Sequence, residues 1–259
     1  MLRDGGIEPV EIPFGGRLDM RTRWALRREA AEFKPDILFT WMNRASRISP
    51  KGAHVRVGRL GGYYKIKYYR RCDHLVANTE DIAEYLVEAG WPAERVHYLP
   101  NFVHGGDVAP IDRQTFFTPE RAMLILAMGR LHENKAFDVL LDAIARAPNV
   151  YLWLAGEGPL RVELEARAES LGIKPRVRFL GWRFDTGALF AAANAFVCPS
   201  RHEPLGNVVI EAWAHGLPVI AADSLGPGTL IEQGETGVLV PVDDAGAMAG
   251  AIRRLITDD

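Results

Sequence analysis

The run Met123-Leu124-Ile125-Leu126-Ala127-Met128, followed by Gly129-Arg130-Leu131-His132-Glu133-Asn134-Lys135, decides the fold class. The apolar run reads as a strong strand, and residues 137–146 beyond the loop read as a helix. A strand, a short glycine-led loop and a helix form the unit from which parallel sheets are built. The same alternation extends in both directions. Upstream, strands are expected near 7–12, 37–40, 55–60, 75–77 and 96–99, with helices near 19–33, 63–71 and 79–89. Downstream, strands are expected near 150–155, 177–180, 195–198, 218–221 and 238–240, with helices near 159–171, 186–193, 207–215 and 245–256. Glycine or proline marks most of the joints.

This pattern implies an α/β chain of doubly wound parallel sheets. With 259 residues it has room for one large domain or two modest ones. Residues 1–104 carry 17 Lys/Arg against 13 Asp/Glu, whereas 105–259 carry 14 against 20. That asymmetry favours two domains, divided within 103–118, where Gly105, Gly106 and Pro110 interrupt the apolar period. The expected domains are 1–104 and 105–259. Ligands of such sheets bind at the carboxyl ends of the strands. No run approaches the roughly 18 apolar residues that span a bilayer, and the N-terminus lacks a secretory signal pattern. Cys72 and Cys198 are far apart, without metal-ligand spacing, and are expected to be buried, reduced thiols of a cytoplasmic protein. The histidines likewise form no metal-ligand pattern, so no metal is expected.

Four segments carry candidate chemistry. In the 129–135 loop, Gly129 permits close backbone approach, Arg130 offers a planar fork and Lys135 a point charge. At the start of a helix these groups can hold a diphosphate; the alternative is a surface loop with two solvated cations. In Glu203-Pro204-Leu205-Gly206-Asn207-Val208-Val209-Ile210-Glu211, a helix begins near Asn207. The amides of Leu205, Gly206 and Asn207 can then meet phosphate oxygens, and Glu203 and Glu211 can accept from sugar and ribose hydroxyls. Two unrelated acids, one stabilising its helix, would look the same. Leu154-Ala155-Gly156-Glu157-Gly158-Pro159 is a tight turn, structural or ligand-lining. In Phe179-Leu180-Gly181-Trp182-Arg183, Trp182 can stack on a nucleobase or simply cover the core.

Taken together and in order, these segments resemble the family 4 retaining glycosyltransferases of the GT-B fold, in which two Rossmann-like domains face a cleft. The resemblance rests on 129–135, Gly156-Glu157-Gly158-Pro159, Phe179-Leu180-Gly181, and Pro199-Ser200 through Glu203 and Glu211. It continues through Gly216-Leu217-Pro218-Val219-Ile220-Ala221 and 234–240 to Asp243, and upstream includes Ala77-Asn78-Thr79 and Leu99-Pro100-Asn101. The run 59–71 also resembles a bacterial subgroup active in cell-surface glycan or lipopolysaccharide assembly. The resemblance implies a UDP- or GDP-sugar donor, no permanently bound cofactor and no metal. Arg130 and Lys135 would neutralise the donor diphosphate, and Glu211 would bind the ribose. Glu203 would sit beside the donor sugar. Gly129, Gly156, Leu205, Gly206 and Asn207 would line the site, and the loop at Trp182 and Arg183 would meet the base. Stabilising the departing nucleoside diphosphate would be the main catalytic contribution.

Three departures from the family pattern stand out. Its first strand and glycine-rich acceptor loop would precede residue 1, its closing helices would follow residue 259, and Arg59-Leu60-Gly61 stands where many members carry a histidine. The N-terminal domain is therefore expected to be incomplete. Ala136 also stands where the family favours glycine. The acceptor would be a glycan or glycolipid. The aromatic and basic run 63–71 fits contact with an anionic membrane surface or glycolipid, or equally a helix with its tyrosines in the core. Arg17, Arg21, Arg23, Arg27 and Arg28 suggest an amphipathic helix face. Nothing in the chain suggests nucleic-acid binding. The expected location is the cytoplasm, at the inner face of the membrane if that contact is made. Two other readings fit the residues: a non-catalytic donor-binding remnant, and a phosphorylase or epimerase on the same architecture.

Overall fold

The computed structural model describes residues 6–15, 19–103 and 105–257. Arg17 lies outside them. The chain divides into two compact units, residues 1–100 and 101–259.

In the first unit, helix α1 (Met20–Phe33) begins at Asp19, whose carboxylate accepts from the Thr22 amide at 3.0 Å. Strands β1 (Ile37–Trp41), β2 (Val55–Leu60), β3 (His74–Ala77) and β4 (Val96–Tyr98) form a parallel sheet in that order. Helix α2 (Met42–Ile48) follows β1, and helix α3 (Glu80–Glu88) follows β3, capped by Thr79. Leu60, Tyr69, Leu75, Ile82 and Leu86 form the buried core.

Two sequence expectations fail here, and one helix lies outside them. Residues 7–12 are irregular rather than a strand. Residues 63–71 contain only a short 3-10 turn, Ile66–Tyr68. The tyrosines of that run find separate partners: Tyr69 is fully buried, and Tyr63 lies edge-on to Tyr85, 5.3 Å between ring centres. The Tyr85 hydroxyl donates to the Tyr64 carbonyl at 3.2 Å, satisfying that carbonyl outside any helix. Helix α2 was not expected, because its seven residues are too few to show an apolar period.

In the second unit, β5 (Met123–Met128), β6 (Val150–Ala155), β7 (Val177–Gly181), β8 (Ala195–Cys198), β9 (Val219–Ala222) and β10 (Val238–Val240) form a six-stranded parallel sheet. Its order is β10-β9-β8-β5-β6-β7. Between successive strands run α4 (Phe137–Ala145), α5 (Arg161–Ser170), α6 (Thr186–Ala192), α7 (Asn207–Ala214) and α8 (Leu225–Leu230), with α9 (Ala245–Thr257) after β10. Ile125 and Ala127 of β5 pack into one core with Leu140, Ile144, Leu152 and Ile252. Leu124, Leu126 and Met128 pack into the other, with Trp153, Phe190, Phe196 and Val209. Burial on both faces is why β5 reads as an unbroken apolar run. Strand β5 pairs with β6 on one side and β8 on the other, so the chain reverses its winding direction there. That reversal opens the sheet's carboxyl edge for ligands.

Candidate functional site

The loops leaving β5, β6 and β7 are stitched together by their backbones. The Gly129 amide donates to the Ala155 carbonyl at 3.0 Å, Leu131 to Glu157 at 2.9 Å and Gly156 to Gly181 at 2.7 Å. Gly156 is required sterically, since a Cβ on it would lie 1.9 Å from the Gly129 carbonyl oxygen. After the 3-10 turn Glu133–Lys135, Ala136 adopts φ 50° and leads into α4. This is left-handed backbone, which glycine adopts without the steric cost that an alanine carries.

The loop after β8 approaches from the other side of the switch point. The His202 amide donates to the Asn134 carbonyl at 3.3 Å, and the Lys135 ammonium pairs with the Glu203 carboxylate. Both side chains are largely buried, and the Ser200 hydroxyl lies 3.5 Å from the same Glu203 oxygen. Residues 68 positions apart in sequence thus meet across the switch point. Arg130, by contrast, is exposed and has no ion-pair partner among the described residues. It is a cation open to a ligand, whereas Lys135 is already balanced.

Gly206, at φ 86°, precedes α7, and no described acceptor takes the amides of Leu205, Gly206 or Asn207. The Asn207 side chain accepts from Asn101. Glu211 stands one turn into α7, half-buried. Burial pushes its carboxyl above the ordinary range, and nearby His215 only partly opposes this. Trp182 follows the stitched Gly181 and is 69% exposed, edge-on to Phe184. Arg183 donates to Asp185 at 2.8 and 2.5 Å and lies over the Phe116 ring, so its side chain is engaged within the protein.

The structure therefore gathers Gly129, Lys135, Gly156 and Glu203 through direct contacts, with α7 and Glu211 following in the same chain segment. Gly226 went unnoticed in the sequence. Its amide donates to the Glu203 carbonyl at 2.7 Å, and a Cβ on it would lie 2.5 Å from the Leu205 carbonyl carbon. The dense Gly226-Pro227-Gly228 spacing was the available signal. Among the described residues, no three His, Cys, Asp or Glu side chains are grouped to hold a metal ion.

A doubly wound sheet with cations and unclaimed helix amides at its switch point belongs to the Rossmann-like class of anion-binding α/β units. Residues 122–258 match the family model for glycosyl transferases group 1, and residues 2–104 match that for Glycosyltransferase Family 4. The chain belongs to this family and is a glycosyltransferase. It is 42% identical over 245 residues to the lipopolysaccharide core biosynthesis glycosyltransferase LpsE of Rhizobium meliloti strain 1021, covering 93% of this chain and 70% of that protein. To LpsD of the same strain it is 38% identical, covering 91% and 69%. Anabaena HepE in complex with UDP-glucose superposes with a TM-score of 0.79 at 24% identity, over 99% of this chain and 78% of that one. WaaG, a glycosyltransferase involved in lipopolysaccharide biosynthesis, superposes at 0.75 and 20%, over 96% and 77%. These likenesses establish the GT-B fold expected from the sequence.

Proposed function

We propose that the chain transfers a sugar, with retention of anomeric configuration, from a nucleoside-diphosphate sugar to a glycan or glycolipid acceptor of the lipopolysaccharide core. The observation that carries this reading is the Lys135–Glu203 pair at the switch point, beside exposed Arg130 and the unclaimed amides before α7. Arg130 and Lys135 neutralise the diphosphate, and the amides of Leu205, Gly206 and Asn207 donate hydrogen bonds to its remaining oxygens. Glu211 binds the ribose hydroxyls. Glu203 stands by the transferred sugar and steadies positive charge at the anomeric carbon. As the donor bond breaks, negative charge grows on the leaving diphosphate, where preorganised cations act most strongly. Gly129 and Gly156 line the cradle, and the backbone near Trp182 and Arg183 meets the base. The donor is a UDP- or GDP-sugar; the HepE complexes with UDP and UDP-glucose favour uridine.

Residues 105–259 serve the donor and 1–104 the acceptor in this reading. The acceptor assignment is supported by LpsE and LpsD, which are named for lipopolysaccharide core synthesis. A cytoplasmic location at the inner membrane face goes with such an acceptor. Helix α1 supports peripheral contact: Met20, Trp24, Arg27 and Arg28 are exposed along one stripe. Among the described residues no helix is long and apolar enough to cross a membrane. The test is a thermal-shift screen of UDP-, GDP- and ADP-sugars, followed by product analysis with the stabilising donor. A stabilising donor whose sugar reaches an acceptor with its configuration kept supports the proposal. Binding without release or transfer points to a remnant, and phosphate-dependent turnover to a phosphorylase.

A further inference from the structure

Arg201 lies between Ser200 and Glu203 but spends its guanidinium on other loops. Nη1 donates to the Glu133 carbonyl at 2.8 Å and to Asp138 Oδ1 at 3.0 Å, while Nη2 donates to Asp138 Oδ2 at 2.6 Å. Nε donates to Asp243 Oδ1 at 2.6 Å. Three chain segments converge on this one group. Glu133 belongs to the cation loop, two residues before Lys135. Asp138 is in the first turn of α4. Asp243 follows β10 and holds left-handed backbone at φ 62°. Only a planar fork with several fixed N–H directions can serve all three at once.

The contacts brace both ends of the Lys135–Glu203 pair. Glu203 is two residues from Arg201 along the chain, and Lys135 is two residues from the carbonyl that Arg201 holds. Burial pushes the Asp138 carboxyl up, and the hydrogen bond and charge of Arg201, together with the backbone amides of Asp138 and Val139, more than reverse this, leaving it below its ordinary value. The fork therefore stays ionised through the neutral range. A displacement of about 1 Å in a binding constellation can cost on the order of 100-fold in rate, so such bracing matters even without ligand contact. We infer that Arg201 is a positioning residue that sets the Lys135–Glu203 geometry for the diphosphate, acting through the loops at Glu133 and Asp243. This inference rests on the donor-site reading above.

The experiment is a double-mutant cycle on the full chain, read by calorimetric titration with UDP and with GDP. Arg201→Ala is expected to weaken the nucleotide that the parent binds by about 10-fold, and Arg201→Lys, which keeps charge but not the fork, by an intermediate factor. On a Lys135→Ala background, Arg201→Ala should weaken binding further by less than about twofold, because its effect runs through that loop. A purely structural role would give equal losses on both backgrounds, and that result overturns the inference. So does parental affinity in Arg201→Ala when Lys135→Ala is weakened. If Lys135→Ala binds like the parent, or the parent binds neither nucleotide, the donor-site reading itself falls and this inference with it. Should Arg201→Ala not fold, Asp243→Asn leaves the Asp138 fork intact and enters the same cycle. Its expected loss is about threefold, again absent on the Lys135→Ala background.

Discussion

Glu211 combines two demands that pull in opposite directions. Its burial raises the carboxyl pKa, so the ionised form that would hold ribose hydroxyls costs folding stability. Because the folded pKa exceeds the unfolded one, the folded state binds more protons across the window between them. Stability from this group is therefore fully present below the unfolded value and is lost as pH rises through the folded one. Glu211→Gln should raise the apo melting temperature at neutral pH and flatten its decline with pH above the ordinary carboxylate range. The same variant should weaken UDP binding, which titration would measure. A variant that melts lower at neutral pH would contradict the burial account. Lys135 makes a different case, since its charge is already paired with that of Glu203. Lys135→Ala leaves a largely buried carboxylate without its cation, so donor turnover should fall by about 100-fold or more, as steady-state kinetics would register.

At the scale of elements, the stitched loops behave as one body. Gly156→Ala places a Cβ against the Gly129 carbonyl at positive φ, so its own loop or the one that carries Arg130 and Lys135 must move. That substitution should lower both the melting temperature and UDP affinity, measured by thermal melt and titration. Ala136 is more forgiving. Relief of left-handed backbone gains about 1–2 kcal/mol. Against this, Ala136→Gly loses a buried methyl worth about 0.8 kcal/mol and adds about 0.4–1 kcal/mol of unfolded-chain entropy. The variant should stay within about 1 kcal/mol of the parent in denaturant melts, as these opposing contributions imply. Strand β5 has no such slack. Leu126 is fully buried at the centre of the sheet, and Leu126→Ala should cost about 2–5 kcal/mol by the same measurement.

For the whole molecule, the two units carry separate cores and opposite charge excess. Residues 101–259 own a six-stranded sheet with helices on both faces. A fragment of these residues should therefore melt cooperatively and bind UDP about as the full chain does, which calorimetry would establish. The first unit carries the positive excess and the exposed arginines of α1, in keeping with an anionic acceptor or membrane surface.

Much of this was legible without coordinates, for a local reason. Strand β5, the loop at Gly129 and helix α4 are neighbours in sequence, and their hydrophobic period and glycine punctuation are intrinsic to the chain. The ordered motifs from Gly129 to Asp243 likewise carried the family. What stayed hidden depended on contacts distant in sequence. The 63–71 run has helical spacing, yet burial of Tyr69 and the Tyr85 bond to Tyr64 dictate an irregular path. Gly226 beneath Glu203 shows locally only as a Gly-Pro-Gly spacing, and Arg201 tying Glu133 to Asp243 has no local signature at all. The amino-acid sequence by itself determined the parallel α/β architecture and the residue types of the cradle, since periodicity and turn chemistry are short-range. Only the tertiary structure decided that Lys135 meets Glu203 while Arg130 stays open and Arg183 is taken by Asp185, because pairing among charges depends on which loops the sheet brings together.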